Sequence, residues 1–74
     1  MTEITVNLTW DADISVWTAT SEEVTGLVLK SGSLDALIER VKYAVPELMK
    51  FNKQEISDEK LSIFFRSERL EHIV

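Results

Sequence analysis

The segment that decides the fold is SLDALIERVKYAVPELMKF, residues 33–51. Its apolar side chains recur at steps of three, four and one, which is the spacing of one stripe along an amphipathic helix. The stripe consists of Leu34, Leu37, Ile38, Val41, Val45, Leu48 and Met49. Ser33 stands where an N-cap residue is expected, and Asp35 lies in the first turn, where a negative charge complements the helix dipole. The segment predicts one helix that buries a single face.

Pro46 falls inside this stripe, where a proline removes one backbone hydrogen bond and crowds the carbonyl group of Lys42. The helix can kink at Pro46 and continue, or it can end near Ala44 and be followed by a short second helix with Pro46 in its first turn. Because the apolar stripe keeps its phase across the proline, we expect a kinked, continuous helix that ends near Phe51.

The residues before the helix predict a three-stranded antiparallel meander. Apolar and polar side chains alternate from Ile4 to Trp10, which is typical of a strand with one buried face. Residues 11–15, DADIS, have turn chemistry, and residues 16–20, VWTAT, are β-branched or aromatic for the most part. The pattern of the second strand fits burial of either face, and we expect Trp17 to point inward.

Two shorter patterns predict the remaining strands. Residues 27–29 form an apolar run between two glycines, which indicates a short third strand. Residues 60–66 alternate again, with Ile63 and Phe65 on one face and Phe64 on the other. Three paths fit residues 67–74: an extension of this strand, a reversal of the chain, or pairing with another subunit.

The resulting order is β-β-β-α-β, and we expect one domain over residues 1–74. A meander followed by a helix that returns the chain to the same sheet gives a two-layer α+β fold. One face of such a sheet stays open to water or to a partner. We expect Phe64, Arg66 and Leu70 to form a homodimer interface, because so small a domain has a thin margin of stability and apolar side chains remain uncovered.

Composition limits the available chemistry. The 74 residues include 13 acidic and 8 basic side chains, one histidine and no cysteine, with a formal net charge of −5. Disulfides, thiolate chemistry and cysteine-based metal sites are excluded, and no cofactor is expected. The acidic balance disfavours binding to nucleic acid or to anionic membranes. With no leader pattern and no apolar run of about 18 residues, we expect a cytoplasmic protein that does not enter a membrane.

Four carboxylates are the candidate functional residues: Asp11, Asp13, Glu22 and Glu23. We expect them to lie at one end of the sheet. Together they could hold a divalent metal in a hydrolase that acts on nucleic acid or on phosphate, or they could form a solvated surface that contacts a partner. Their spacing matches no calcium-binding loop, and the lone His72 lies near the C-terminus, so we favour the contact surface and expect no enzymatic activity.

Residues 6–48, VNLTWDADISVWTATSEEVTGLVLKSGSLDALIERVKYAVPEL, resemble the N-terminal domain of HicB-type antitoxins. The chain is more similar still to a family of short bacterial proteins of unknown function grouped beside HicB, domain-of-unknown-function family 1902. The phrases SLDxLxxR, VPEL and RSERLE carry this resemblance, which extends from Val6 to about Glu71.

The resemblance implies a partial ribonuclease-H-like fold and a HicB-like binding role toward a HicA-type toxin that cleaves messenger RNA. The metal-binding carboxylates of ribonuclease H cannot be placed on the strand interiors of this sequence, so the fold likeness does not imply that activity. Because the sequence ends soon after its last predicted strand, we expect no DNA-binding segment of the kind found in HicB relatives. Direct DNA binding is therefore not expected.

Overall fold

The computed structural model describes residues 2–52, 61–69 and 73. The chain forms, in order, the elements β1 (Thr2–Asp11), β2 (Val16–Thr20), β3 (Val28–Ser31), α1 (Leu34–Phe51) and β4 (Leu61–Arg69). The predicted α+β class and the β-β-β-α-β order are confirmed. Within the described ranges, no helix is long and apolar enough to cross a membrane.

The strands form one mixed sheet in the order β3-β2-β1-β4. The first three strands form the predicted antiparallel meander. β4 pairs parallel with β1 along its full length, from Leu61 beside Thr2 to Arg69 beside Trp10. β4 ends at Arg69, three residues beyond the predicted end at Arg66, because β1 provides a pairing partner as far as Trp10. β3 and β4 are the edges of the sheet.

The core lies between one face of the sheet and α1. The buried positions of the helix lie on the predicted stripe: Leu37, Val41, Val45 and Met49. They meet the alternate side chains of β1, of which Ile4, Val6 and Leu8 are at most 3% exposed. Trp17 and Ala19 of β2 also face inward, which confirms the predicted orientation of that strand.

The start of the helix is set by Ser33, as predicted. Its hydroxyl oxygen accepts a hydrogen bond from the amide of Ala36 at 3.3 Å, which satisfies one of the free donors of the first turn. At the other end, the Asn52 amide donates to the Leu48 carbonyl at 2.8 Å. The Asn52 side chain donates to the carbonyl of Thr25, also at 2.8 Å, and so ties the helix end to the loop before β3.

Pro46 lies inside a continuous helix, which confirms that the helix does not stop near Ala44. Pro46 and Lys42 are both exposed, so the carbonyl group that loses its helical partner is on the solvent side. Water can hydrate that carbonyl, which offsets part of the cost of the lost helical hydrogen bond.

The third strand begins one residue later than predicted and extends to Ser31. Leu27 belongs to the preceding loop, where it is 2% exposed and packs in the core with Val24. The Leu27 amide donates to the Val24 carbonyl at 3.2 Å, and Gly26 supplies the positive φ of 88° that this turn requires. The apolar run of residues 27–29 is therefore divided between the turn, which contains Leu27, and β3, which begins at Val28.

Candidate functional site

The face of the sheet opposite α1 is uncovered by any element of the described ranges, and we name it the open face. Side chains alternate between the two faces of a strand, so every second residue belongs to it. Its members are Glu3, Thr5, Asn7, Thr9, Asp11, Val16, Thr18, Thr20, Val28, Lys30, Ser62, Phe64, Arg66 and Glu68. The centre of the face is rich in threonine, and it is therefore polar but largely uncharged.

The charged groups of the open face are unevenly balanced. Glu3, Asp11 and Glu68 carry negative charge, and Lys30 and Arg66 carry positive charge. Two further carboxylates, Glu22 and Glu23, adjoin the face. They belong to the loop after β2, and we name residues 21–23 of this loop the acidic corner. Five acidic groups thus stand against two basic ones on this side of the described molecule.

The acidic corner continues the pairing of β1 after β2 has ended. The Thr5 amide donates to Glu23 Oε1 at 2.8 Å, and the Ser21 hydroxyl donates to the Thr5 carbonyl at 2.7 Å. The Glu23 amide donates to the Ser21 hydroxyl oxygen at 3.2 Å. Side chains thus take the place of a strand backbone along this part of β1. The Glu23 carboxylate consequently lies against the backbone of β1.

A shallow depression of about 340 Å³ lies between the acidic corner and β4. It is lined by Thr5, Asn7, Glu22, Glu23 and Arg66. Two carboxylates, one guanidinium, an amide and a hydroxyl make this lining predominantly polar. Such a lining suits a charged or hydrogen-bonding side chain of another molecule better than it suits an apolar ligand.

The hairpin tip holds the other predicted pair of carboxylates. The Asp13 amide donates to Asp11 Oδ1 at 3.0 Å, which is an Asx-type turn. Ser15 completes the reversal with a φ of 52°. Both aspartates are exposed. Through its hydrogen bond with the Asp13 amide, Asp11 shapes the turn, which agrees with the turn chemistry predicted for residues 11–15.

The prediction that Asp11, Asp13, Glu22 and Glu23 share one end of the sheet is wrong. β2 runs antiparallel to β1, so residues before and after β2 lie at opposite ends of the hairpin. Thr5, which holds Glu23, precedes Asp11 by six positions of β1, or about 20 Å. The two pairs cannot bind one metal ion together. Over the described residues, no three His, Cys, Asp or Glu side chains are grouped to hold a metal, and His72 lies outside those residues.

The two tryptophans lie on the helix side of the sheet, at the hairpin end. Their ring centroids are 5.3 Å apart with a tilt of 54°, and the guanidinium of Arg69 is 4.8 Å from the centroid of Trp10. Trp17 is buried, so the pair closes the core. The sequence predicted that Trp17 points inward but not the contribution of Arg69, which depends on the pairing of β4 with β1.

The predicted dimer residues lie on β4 as far as the structure describes them. Phe64 points away from Ile63 and Phe65, as predicted, and is 59% exposed. Arg66 is exposed on the same face, beside the acidic corner. Leu70 is outside the described residues. The homodimer itself stays a prediction.

Comparisons with known proteins place this arrangement in a family. The model of DUF1902, a domain of unknown function, matches residues 3–73. The chain is also similar to the crystal structure of a hypothetical protein from the extremely thermophilic bacterium Thermus thermophilus, with 29% identity and a TM-score of 0.73 over 97% of each chain. No curated protein matches the sequence.

Proposed function

We propose that this chain, which belongs to DUF1902, a family of domains of unknown function, is a non-enzymatic binding module. In this proposal, its open face binds a basic partner protein. The observation that carries the proposal is the placement, among the described residues, of five acidic and two basic groups on a side of the sheet that no described element covers. An acidic face raises the rate of encounter with a basic protein and disfavours nucleic acid.

The separation of the acidic pairs fits a contact surface better than it fits a catalytic centre. The acidic corner lies at one end of this surface, and Asp11 and Asp13 lie at the other, about 20 Å away along β1. The threonines between them offer hydroxyl groups at low side-chain entropy. A partner that complements this surface has basic groups at both ends of its contact area and uncharged polar groups between them.

The class of partner is suggested by the resemblance to HicB-type antitoxins. A small protein that cleaves messenger RNA must present a basic surface to its substrate, because most contacts to a nucleic acid go to its phosphates. An acidic module that covers that surface would exclude the RNA. We therefore propose a basic, RNA-cleaving protein of the HicA type as the partner.

Co-expression tests the proposal directly. The chain is produced with the short basic reading frames that adjoin its own gene, and it is then purified through a tag on the chain. We expect a stoichiometric complex with one of these basic proteins, which cleaves RNA only after the chain has been removed. Repeated recovery of the chain alone would contradict the proposal.

Charge reversal then locates the contact surface. Glu3→Lys combined with Glu22→Lys changes the open face and its corner, and should weaken the complex by about tenfold or more. Glu39→Lys combined with Glu47→Lys changes the net charge by the same amount on exposed positions of α1 and should have little effect. Equal weakening by both pairs would show a general charge effect and count against the open face as the binding site.

A further inference from the structure

The outer edge of β4 differs from what is usual for an edge strand in a soluble protein. Edge strands are commonly short, or they carry charged side chains, proline or a bulge that prevents pairing with another chain. β4 is nine residues long and contains neither proline nor lysine, and its charged residues, Arg66, Glu68 and Arg69, all lie after Phe65, so the stretch Leu61–Phe65 carries no charge. No described strand lies on its outer side.

The opposite edge of the same sheet is protected in three ways. β3 has four residues, and Lys30 lies in its middle. Arg40 reaches from α1 and donates through Nη1 to the Lys30 carbonyl at 2.9 Å. The fold thus closes one edge with a helix side chain, whereas the described residues leave the other edge available.

The contacts of Thr5 define which backbone groups of β4 point outward. The Thr5 amide and carbonyl form hydrogen bonds on the side of β2 and the acidic corner. Because successive residues of a strand direct their backbone groups to opposite sides, the amides and carbonyls of Ile4 and Val6 point toward β4. Parallel pairing of Ile4 with Ile63 and of Val6 with Phe65 then uses the even-numbered residues of β4. The amides and carbonyls of Leu61, Ile63, Phe65 and Ser67 face away from the sheet.

We propose that a second copy of this chain pairs with the edge of β4 in the antiparallel direction, about a two-fold axis at Phe64. The two four-stranded sheets would then form one continuous sheet, with both helices on one side and both open faces on the other. The inference concerns the β4 edge and does not rest on the proposed function. A monomer could bind a basic protein equally well.

The residue pairs favour the axis at Phe64 over its neighbours. With this axis, Phe64 meets its own copy, and Ile63 and Phe65 meet each other on the helix side, where both are half-buried. An axis at Phe65 would set Phe64 against Arg66 and Ile63 against Ser67. An axis at Arg66 would bring two like charges together, which destabilises a cross-strand pair.

The same axis determines which residues bond through their backbones. Ile63 with Phe65, and Leu61 with Ser67, become hydrogen-bonded pairs, because these residues direct their backbone groups outward. Phe64 opposite its copy becomes a non-hydrogen-bonded pair, in which the Cα atoms are about 4.5 Å apart. That separation lies within the range of a disulfide, about 4.4 to 6.8 Å, and the natural chain contains no cysteine.

Single cysteines therefore test the register in the full chain. Phe64→Cys should form a disulfide-linked dimer under mild oxidation, at least tenfold faster than Ser62→Cys or Arg66→Cys alone. A mixture of the Ser62→Cys and Arg66→Cys proteins should form the mixed dimer, since these positions face each other. Equal rates at all three positions, or a faster reaction at Ser62→Cys alone, would overturn the proposal.

Sedimentation tests the association without a covalent bond. The natural chain should form a dimer as its concentration rises, and Phe64→Lys should stay monomeric at the same concentration with an unchanged circular dichroism spectrum. Tyr43→Lys, which replaces an aromatic side chain that is 77% exposed on α1, should dimerise like the natural chain. A natural chain that stays monomeric at the highest concentration, or a Phe64→Lys protein that still dimerises, would contradict the pairing. If Phe64→Lys fails to fold, the cysteine series decides the question.

Discussion

At the scale of single residues, Glu23 has a structural contact that its sequence position does not reveal. β2 ends at Thr20, and the Thr5 amide of the neighbouring strand would have no strand partner beyond that point. The carboxylate of Glu23 accepts this hydrogen bond, and Ser21 binds the carbonyl of the same residue. An acidic residue that looks like surface solvation in the sequence therefore helps to hold the central strand.

Replacement of Glu23 should separate this role from general surface charge. Glu23→Ala removes the acceptor, and we expect the free energy of unfolding to fall by about 1 kcal/mol. That corresponds to a melting temperature lower by roughly 4 to 8 °C for a domain of this size. Glu22→Ala removes the same charge from the adjacent position and should change the melting temperature little. Equal losses in thermal unfolding would show that the Thr5 contact contributes nothing.

Residues that act within a few positions of chain could be predicted, and those that act across the sheet could not. Ser33 was identifiable as the N-cap because its partner, Ala36, is three residues away. Glu23 and Thr5 are 18 positions apart, and their contact depends on where β2 ends. The stacking of Arg69 on Trp10 depends likewise on the parallel register of β4.

At the scale of elements, α1 is the best determined part of the fold. Its apolar stripe continues in phase through Pro46, and the proline stays on the exposed side of the helix. Packing of the stripe against the sheet outweighs the local preference of proline to end a helix. Periodicity was therefore a better guide to the helix boundary than the one breaking residue.

A charge in the stripe should unfold the domain. Leu37 is fully buried, and Leu37→Asp would place a lone carboxylate between helix and sheet. We expect loss of the cooperative unfolding transition and of the near-ultraviolet circular dichroism signal. Ala36→Asp introduces the same side chain on the exposed side of the first helical turn and should leave the melting temperature within a few degrees. A stable Leu37→Asp protein would mean that the stripe does not face the sheet.

The strands illustrate what alternation alone can and cannot define. Alternation predicted that β4 exists and that Phe64 points away from the core. It could not give the partner of β4, its parallel direction or its end at Arg69, because these follow from pairing with β1. The same limit applies to β3, where Leu27 is buried in a turn and the strand begins one residue later.

At the scale of the whole molecule, two acidic clusters that are close in the sequence lie far apart in the fold. The antiparallel return of β2 carries Glu22 and Glu23 to the opposite end of the hairpin from Asp11 and Asp13. Proximity along the chain suggested that the four carboxylates share one site. The antiparallel meander places the two pairs too far apart for such a site. The result is one extended acidic face instead of a compact cluster of ligands.

The central claim is that this open face is the surface that binds a basic protein. The most direct measurement is an amide NMR spectrum of the isotope-labelled chain, recorded free and in complex with the basic protein obtained by co-expression. We expect the largest shifts at Thr5, Asn7, Thr9 and Thr18, with Tyr43 and Glu47 of α1 nearly unchanged. Shifts concentrated on α1, with the amides of the open face unaltered, would contradict the claim.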